Sequence, residues 1–404
     1  MPHGLVGPAY LWPSADERVR IHRSLWWKHG DRWPRPLWLL VECWLWSRWV
    51  FWHAIPACRR NLHRMGAIVE REEGIPRRTQ YSRIRKLALL WCIPPRDSYR
   101  FRLYRAPDTA LDYVYDAEAL AYHLFGCERL GLKAESLGQL QDKLRLADNL
   151  AADGIPVAAT VAVVWEYRQI SWLEAQVKQH GRVFCKTVSG SGGQGAFSAW
   201  STPDGIAGQT FLGVPLPDAA AVEAAWRDLQ ALDGALIQPY LESHPDLAPL
   251  AGNHETLTVR FISQWESDSG KAAAVCRCLS ATLEVPAVHA ANGKTFYVLL
   301  PIDPETGAIL PPEPPLIAGQ AVRDAISRVG VAARSLGRLP GWSRLAELSY
   351  RAHARFPDIR AIAWDWVPTS SGPVLLEGNT GWGTAAVQAR LGGLIPSLMN
   401  GRLS

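Results

Sequence analysis

Asp365, Glu377 and Asn379 stand near the C-terminus in the stretch AIAWDWVPTSSGPVLLEGNTGWG (361–383) and offer a ligand nothing but oxygen. That set suits Mg²⁺ held between protein and phosphates, because this hard cation takes one or two carboxylates and completes its shell with phosphate and water. Asp365 is the only charge in an apolar run, and a charge so placed is costly unless it is paired or binds a metal. Residues 362–367 read as a short buried strand, 368–372 as a turn and 373–379 as a returning strand. On the second strand Leu375, Glu377 and Asn379 lie two apart and are expected to share a face. An ordinary hairpin with its acids turned to solvent fits the same stretch.

A second group of residues suits phosphate. Residues 182–187 (RVFCKT) read as a strand carrying Lys186, and VSGSGGQGA follows with glycines at 190, 192, 193 and 195. Glycine lets backbone N–H groups approach an anion and tolerates positive φ, while a lysine just before the loop adds a point charge. The lysine precedes the glycines and no Ser/Thr-capped helix follows, so this is not a P-loop. Residues 197–200 read as another strand, so it is not the dinucleotide-binding GxGxxG either. A flexible hairpin tip is the alternative.

A third group is a pair of arginines. Strands are expected over 256–264 and 272–279, about the turn ESDSG. If that hairpin is symmetric about Asp268 and Ser269, Arg260 and Arg277 fall opposite each other. Like charges there destabilise a sheet pair unless an anion lies between them, which makes the two a candidate clamp for a phosphoryl group or a carboxylate. A one-residue change of register would instead leave two surface arginines pointing apart.

Helical spacing appears over 79–90, 117–130, 141–152, 172–180, 219–232, 319–336 and 342–356. Strands are expected at 98–104 (SYRFRLY), 157–167, 234–240 and 296–302. Residues 36–54 (PLWLLVECWLWSRWVFWHA) are helical in length and apolar almost all round. They fall short of the ~20 predominantly apolar residues of a membrane span and are interrupted by Glu42, Arg48 and His53. Either the helix packs into a Trp-rich core with a solvated basic face, or it lies in a membrane interface, where Trp rings and arginines are at home.

With 404 residues, 48% of them hydrophobic, the chain has room for two or three domains. Its net charge of +5 hides a polarity: residues 1–100 hold 18 Lys and Arg against 8 Asp and Glu, and 10 of the 19 Trp. That asymmetry speaks of partners rather than fold. No helix-turn-helix, zinc or RNA-binding signature accompanies the charge, so no specific nucleic acid is expected. The seven cysteines lack zinc-finger spacing, and the N-terminus MPHGLVGPAY lacks a basic region followed by an apolar stretch. Reduced thiols and a cytoplasmic protein without a signal peptide are the expectation, with peripheral membrane contact through residues 1–105 as the open alternative.

Lys143, Lys186, the glycine loop, IQPY (237–240) and the trio Asp365, Glu377 and Asn379 occur in this order. With SYRFRLY, DKLRLADNLAADGIPV, VFCKTVSGSGGQG, LIQPYLESHP, HETLTVRFIS and IAWDWVPTSSGPVLLEGN, they make the chain resemble the ATP-grasp superfamily. Within it, the chain looks like the sugar-transfer-associated branch related to glutamate ligases. The resemblance covers roughly residues 75–395. It implies an α+β fold in which two α/β lobes enclose ATP. Residues 1–105 would be the helical, basic, Trp-rich region, 106–233 linker helices and the N-terminal lobe, and 234–404 the C-terminal lobe with the metal site. Lys143 and Lys186 would contact phosphates, with Ser189, Ser191, Gly192, Gly193 and Gly195 in a lid over them. Gln238, Tyr240 and Leu241 would hold adenine and Glu242 the ribose. Asp365, Glu377 and Asn379 would hold Mg²⁺. Arg260 and Arg277 would stabilise the transferred phosphoryl group and the tetrahedral intermediate. The superfamily commonly carries an Arg two residues before the metal-binding Asp, where this chain has Ala363; its hinge glutamate is Gln238 here.

The implied activity is an ADP-forming ligase that joins a carboxylate to an amine through an acyl phosphate, with an amino acid, peptide or sugar acid as substrate. No nucleophilic side chain is needed, because the protein supplies position and charge. Trp382 and Thr384 would line the acceptor pocket, and His244, His254 or His289 could deprotonate the amine. The rivals are a phosphotransferase on the same fold and a membrane-surface nucleotide-binding protein without ligase activity.

Overall fold

Proline and glycine punctuation sets many of the element ends. The computed structural model describes residues 12–30, 34–188, 193, 195–250, 256–266, 275–289, 295–312 and 318–399. Helices α1 (Glu17–Gly30), α2 (Arg35–Arg48), α3 (Ala54–Glu73), α4 (Arg77–Leu90) and α5 (Pro95–Arg100) form the N-terminal region. A π-helical turn, Trp49–His53, joins α2 to α3 without a break. Pro56 accounts for it: its ring nitrogen has no hydrogen for the Trp52 carbonyl and crowds it, and wider hydrogen bonding absorbs the mismatch. Helix α3 stops at Gly74, whose φ of +69° is the left-handed cap conformation. Trp26, Trp38 and Trp49 are buried, so the Trp-rich helical core is present.

SYRFRLY is not a strand. Pro94 and Pro95 start a helix, because proline presets φ and needs no donor in the first turn. Arg102, at φ +53°, then bends the chain back. Tyr99, Phe101 and Leu103 are nonetheless buried, so the apolar alternation is satisfied by a turn rather than by a sheet.

Helices α6 (Ala119–Glu128), α7 (Ala134–Gln141) and α8 (Lys143–Ala152) follow. Asp142 caps α8, accepting from the backbone N–H groups of Leu144 and Arg145, both at 3.1 Å. The next unit comprises β1 (Ala162–Val164), α9 (Ile170–His180), β2 (Arg182–Thr187), β3 (Phe197–Thr202), β4 (Gly205–Thr210), β5 (Pro215–Leu216), α10 (Ala219–Asp233) and β6 (Ala235–Pro239). Its antiparallel sheet has the order β1-β6-β2-β3-β4-β5. Leu173 and Val177 of α9 and Trp226 and Leu229 of α10 cover one face, over Val183, Cys185 and Ile237. Of the strand expected over 157–167, only β1 and an isolated bridge from Val157 to Leu375 form.

The second sheet holds β7 (Thr258–Glu266), β8 (Val275–His289) and β9 (Thr295–Pro301). After α11 (Gln320–Leu336) and α12 (Trp342–His353) come β10 (Ala361–Thr369), β11 (Gly372–Asn379), α13 (Thr384–Leu391) and α14 (Ile395–Met399). The strand order is β11-β10-β7-β8-β9. Helices α11 and α12 cover one face, with Val329, Trp342 and Leu345 against Phe261, Leu283 and Trp364. Part of the other face is closed by Ile21 and Leu25 of α1, Tyr122 of α6 and Val387 of α13, packed on Ile262 and Ala363. The two sheets are tied by backbone bonds from Ala158 N to Leu375 O (2.9 Å) and from His244 N to Pro368 O (2.6 Å).

Arg260 and Arg277 do not face each other. Arg260 is opposite Thr282 and Arg277 opposite Gln264, with a register shift between Ile262 and Ser263. The pairing centres further along the chain than Asp268 and Ser269, so the two arginines fall out of register.

Gly378, beside Glu377, has no room for a side chain: a Cβ there would stand 2.7 Å from the Trp364 ring and 2.9 Å from Leu140 Cδ1. Gly378→Ala is expected to cost about 1–3 kcal/mol through overpacking, read as a lower midpoint in urea unfolding.

Candidate active site

Alternation along β2 sends Val183 and Cys185 into the core and leaves Arg182, Phe184 and Lys186 on the opposite face. On the other sheet Arg260, Asp365 and Glu377 stand abreast on β7, β10 and β11. Glu284 joins them from β8. The two faces bound one cleft of about 570 Å³, which Lys143, the first residue of α8, also lines.

A bulge aims Glu377. Asp365 pairs with Glu377, but the next residue, Trp366, pairs with Leu375, so Leu376 is extra. Leu375 is therefore in the hydrophobic core, whereas Leu376 and Glu377 line the cleft. The face expected to be common to Leu375, Glu377 and Asn379 is thus broken between Leu375 and Glu377. Asn379 is opposite Ala363 and donates from Nδ2 to Glu377 Oε1 at 3.0 Å.

Arg260 holds Asp365 in a two-pronged ion pair, Nε to Oδ1 at 2.9 Å and Nη2 to Oδ2 at 3.1 Å. Its Nη1 is 3.3 Å from Glu284 Oε1. Burial raises the Asp365 carboxyl above its ordinary range; Arg260 opposes that shift and the adjoining Glu377 adds to it. Glu284 is raised as well, by burial first, with Arg260 opposing and Asp365 adding. Burial pulls Lys186 down to about 8, while Glu377 draws it up and Lys143 presses it down, so its ammonium is within electrostatic reach of both.

Carboxylates crowded in a water-poor place are what a divalent cation relieves. Among the described residues no three His, Cys, Asp or Glu side chains form a metal-holding group. Two carboxylates and an amide are the protein's share of a Mg²⁺ shell when phosphates complete it, so Asp365, Glu377 and Asn379 fit that ion.

At the other end of the cleft, Gln238, Tyr240 and Leu241 line the wall. Gln238 Nε2 donates to Ala158 O at 3.3 Å, and Tyr240 N to Arg182 O at 2.9 Å. Glu242 is exposed beyond the lining. Gly193 and Gly195 have φ of +68° and +71°, and a Cβ on Gly193 would stand 2.3 Å from the Phe211 ring. Ser189, Ser191 and Gly192 lie outside the described residues.

Several expected residues are elsewhere. Arg277 is half-exposed, 3.7 Å from Glu266, and does not line the cleft, because the register of β8 takes it past the end of the site. Trp382 and Thr384 are buried away from the cleft; Trp382 packs on His123, ring centroids 4.6 Å apart, and its carbonyl bonds to His123 Nε2 at 2.9 Å. His244 caps a turn by accepting from Asp246 N. His254 and the His289 side chain lie outside the described residues.

Two cleft residues escaped the sequence reading. The Arg182 guanidinium stacks 3.5 Å from the Tyr240 ring centroid and 4.8 Å from that of Trp200, bracing Tyr240 in the cleft wall. It lies four residues before Lys186, hence on the same strand face, which was a legible signal. Glu284 was missed because β8 runs well past the expected end at 279. A lone carboxylate in ATLEVPAV was the clue.

Arg260→Ala leaves Asp365 and Glu284 without their shared counter-charge. The Arg260 side chain is 38% exposed, so the expected loss is about 1–3 kcal/mol rather than that of a fully buried pair. Urea unfolding should show the gap from the native protein at pH 7, and the gap should begin to close, as pH falls, above the ordinary carboxylate range, because burial raises both carboxyls and loss of the arginine raises them further.

The family model described as sugar-transfer associated ATP-grasp matches residues 133–400. No curated protein matches the chain in sequence. Among solved structures, the ATP-grasp ligase PsnB complexed with minimal precursor is 14% identical, with 75% of this chain and 74% of that one covered at a TM-score of 0.37. The D-alanine-D-alanine ligase from Coxiella burnetii is 10% identical, with coverage of 67% and 58% and a TM-score of 0.34. The RimK domain ATP-grasp protein from Sphaerobacter thermophilus is 14% identical, with coverage of 67% and 71% and a TM-score of 0.36. The family match spans about two thirds of the sequence and takes in Lys143, Lys186, Arg260, Asp365 and Glu377, so the chain belongs to the sugar-transfer associated ATP-grasp family.

Proposed function

We propose that the chain is an ATP-dependent, ADP-forming ligase that joins a carboxylate to an amine through an acyl phosphate. The observation that carries this reading is the meeting of Lys186 and Glu377, from different sheets, across one cleft. A cation-lined wall facing an oxygen-ligand wall is what a magnesium nucleotide requires.

Lys143 and Lys186 bind phosphate oxygens, and Gly193, which lines the cleft, brings backbone close to them. Residues 238–241 take the adenine, with Arg182 holding Tyr240 in place. Asp365, Glu377 and Asn379 hold Mg²⁺, which neutralises phosphate charge when bound. Arg260, positioned by Asp365 and Glu284, places its charge beside the oxygens of the group in flight.

The chemistry accounts for the residue types. A carboxylate does not condense with an amine in water, because hydroxide is a poor leaving group. Its oxygen attacks the γ-phosphorus and ADP leaves; the amine nitrogen then attacks the acyl carbon and phosphate leaves. The side chains supply position and charge. An amino acid, a peptide or a sugar acid is the carboxylate class, in keeping with a family associated with sugar transfer.

Lys186→Ala or Glu377→Ala should lower ADP formation by at least about a hundredfold without changing the circular dichroism; full turnover in either variant refutes the assignment. ADP and phosphate should appear together only when carboxylate and amine are both present, whereas a stable phosphorylated product from one substrate marks a phosphotransferase.

Protonation of Lys186 gives a further handle. Its pKa of about 8 means that the unliganded site loses a positive charge as pH rises through that value. Affinity for a non-hydrolysable ATP analogue with Mg²⁺, measured by calorimetry, should fall above pH 8. Lys186→Arg, which keeps its charge, should flatten that step.

A further inference from the structure

The N-terminal helices leave uncovered a surface for which the cleft has no use. Residues 35–73 form one rod through α2, the π-turn and α3. Its inner side is spent on the protein: Trp38 packs with Val19 and Trp26, and Trp49, Ala54 and Cys58 with Ile84 and Ala88 of α4. Its outer side, at helical spacing, carries Leu37, Leu40, Val41, Trp44, Phe51 and Trp52. Leu40, Trp44, Phe51 and Trp52 are 69%, 61%, 72% and 65% exposed. A helix on a protein surface turns polar groups outward, but this one is apolar there as well, along about four turns.

The charges beside the stripe have one sign. Arg35, Arg48, Arg59 and Arg60 are exposed, and the Arg48 guanidinium lies over the Trp44 ring, 5.5 Å from its centroid. Between residues 34 and 69 the sole acid is Glu42. It is buried and points at Trp26, whose Nε1 is 3.5 Å from Glu42 Oε2. Over residues 35–69 the exposed side is therefore apolar and cationic, and the exposed acids of the last turn, Glu70 and Glu72, lie 3.5 Å from Arg77 and 3.3 Å from Arg71.

We propose that this side of the rod rests on an anionic lipid surface, with the Trp and Phe rings among the headgroups and the arginines on lipid phosphates. Aromatic rings and arginine are the groups that a membrane interface accommodates, and anionic headgroups supply the missing negative charge. A second copy of the same face would set arginines against arginines. The rod lies on the bilayer and does not cross it. Its inner side is held by its own chain, and no helix among the described residues is long and apolar enough to span a membrane. The inference rests on the N-terminal helices alone and is independent of the chemistry in the cleft.

The test uses the full chain and sedimentation with vesicles of equal parts phosphatidylglycerol and phosphatidylcholine, against phosphatidylcholine alone. The protein should pellet with the anionic vesicles, and less so at high salt. Trp44→Ser with Trp52→Ser, or Arg48→Glu with Arg59→Glu, should lower partition by about tenfold or more. Leu391→Ser, which removes an exposed leucine elsewhere, should leave it unchanged. All these positions are exposed, and circular dichroism verifies that each variant is folded. Failure of the native chain to pellet, or equal pelleting of native and substituted chains, overturns the proposal. A native dimer that the tryptophan substitutions split, with no vesicle binding, overturns it too and shows that two copies meet on this face.

Discussion

Three neighbouring strands carry Arg260, Asp365 and Glu377 side by side. Burial disfavours the charge on Asp365, and an adjacent carboxylate disfavours it further. The two-pronged contact from Arg260 holds the arrangement together. Antiparallel pairing of β7, β10 and β11 is what sets these groups abreast; no local segment could do so. The site is thus a balance of charge built into a sheet, and it is left short of positive charge. That shortage suits the Mg²⁺ of a magnesium nucleotide.

The opposite wall answers it. Lys186 is on a strand whose other face is buried under α9 and α10, so its side chain can only point into the cleft. There it is drawn towards Glu377 and repelled by Lys143. Phosphate between the two lysines and a cation beside the carboxylates would relieve both repulsions at once. Among the described residues few backbone hydrogen bonds join the sheets, and the cleft lies between them.

The N-terminal helices have two duties. Through α1 they complete the core beneath Ile262 and Ala363, on the sheet face that carries Arg260 and Asp365 further along. Through α2 and α3 they present an apolar, cationic outer side. The expected Trp-rich core therefore lies on one side of the rod, and the other side is exposed, apolar and cationic. Periodicity alone could not separate them, because a helix apolar all round gives no moment to say which side is inside.

Most helices and strands were legible because their apolar periods are long and end at proline or glycine: β2 matches its expected bounds, and β10 and β11 differ by only a few residues. Lys186, Asp365 and Glu377, which line the cleft, could likewise be picked out by residue type and order, whereas most of the glycine loop lies outside the described residues. Pairing was not legible. The extra Leu376 turns Leu375 inward and leaves Glu377 in the cleft, and the register of β7 with β8 takes Arg277 away from Arg260. Trp382, expected at the site, belongs to a core shared with α6. The chain by itself determined which chemistries it can carry, since that depends on side-chain type and local period. Only the tertiary structure decided which groups meet, because register and bulges are settled by contacts between strands far apart in sequence.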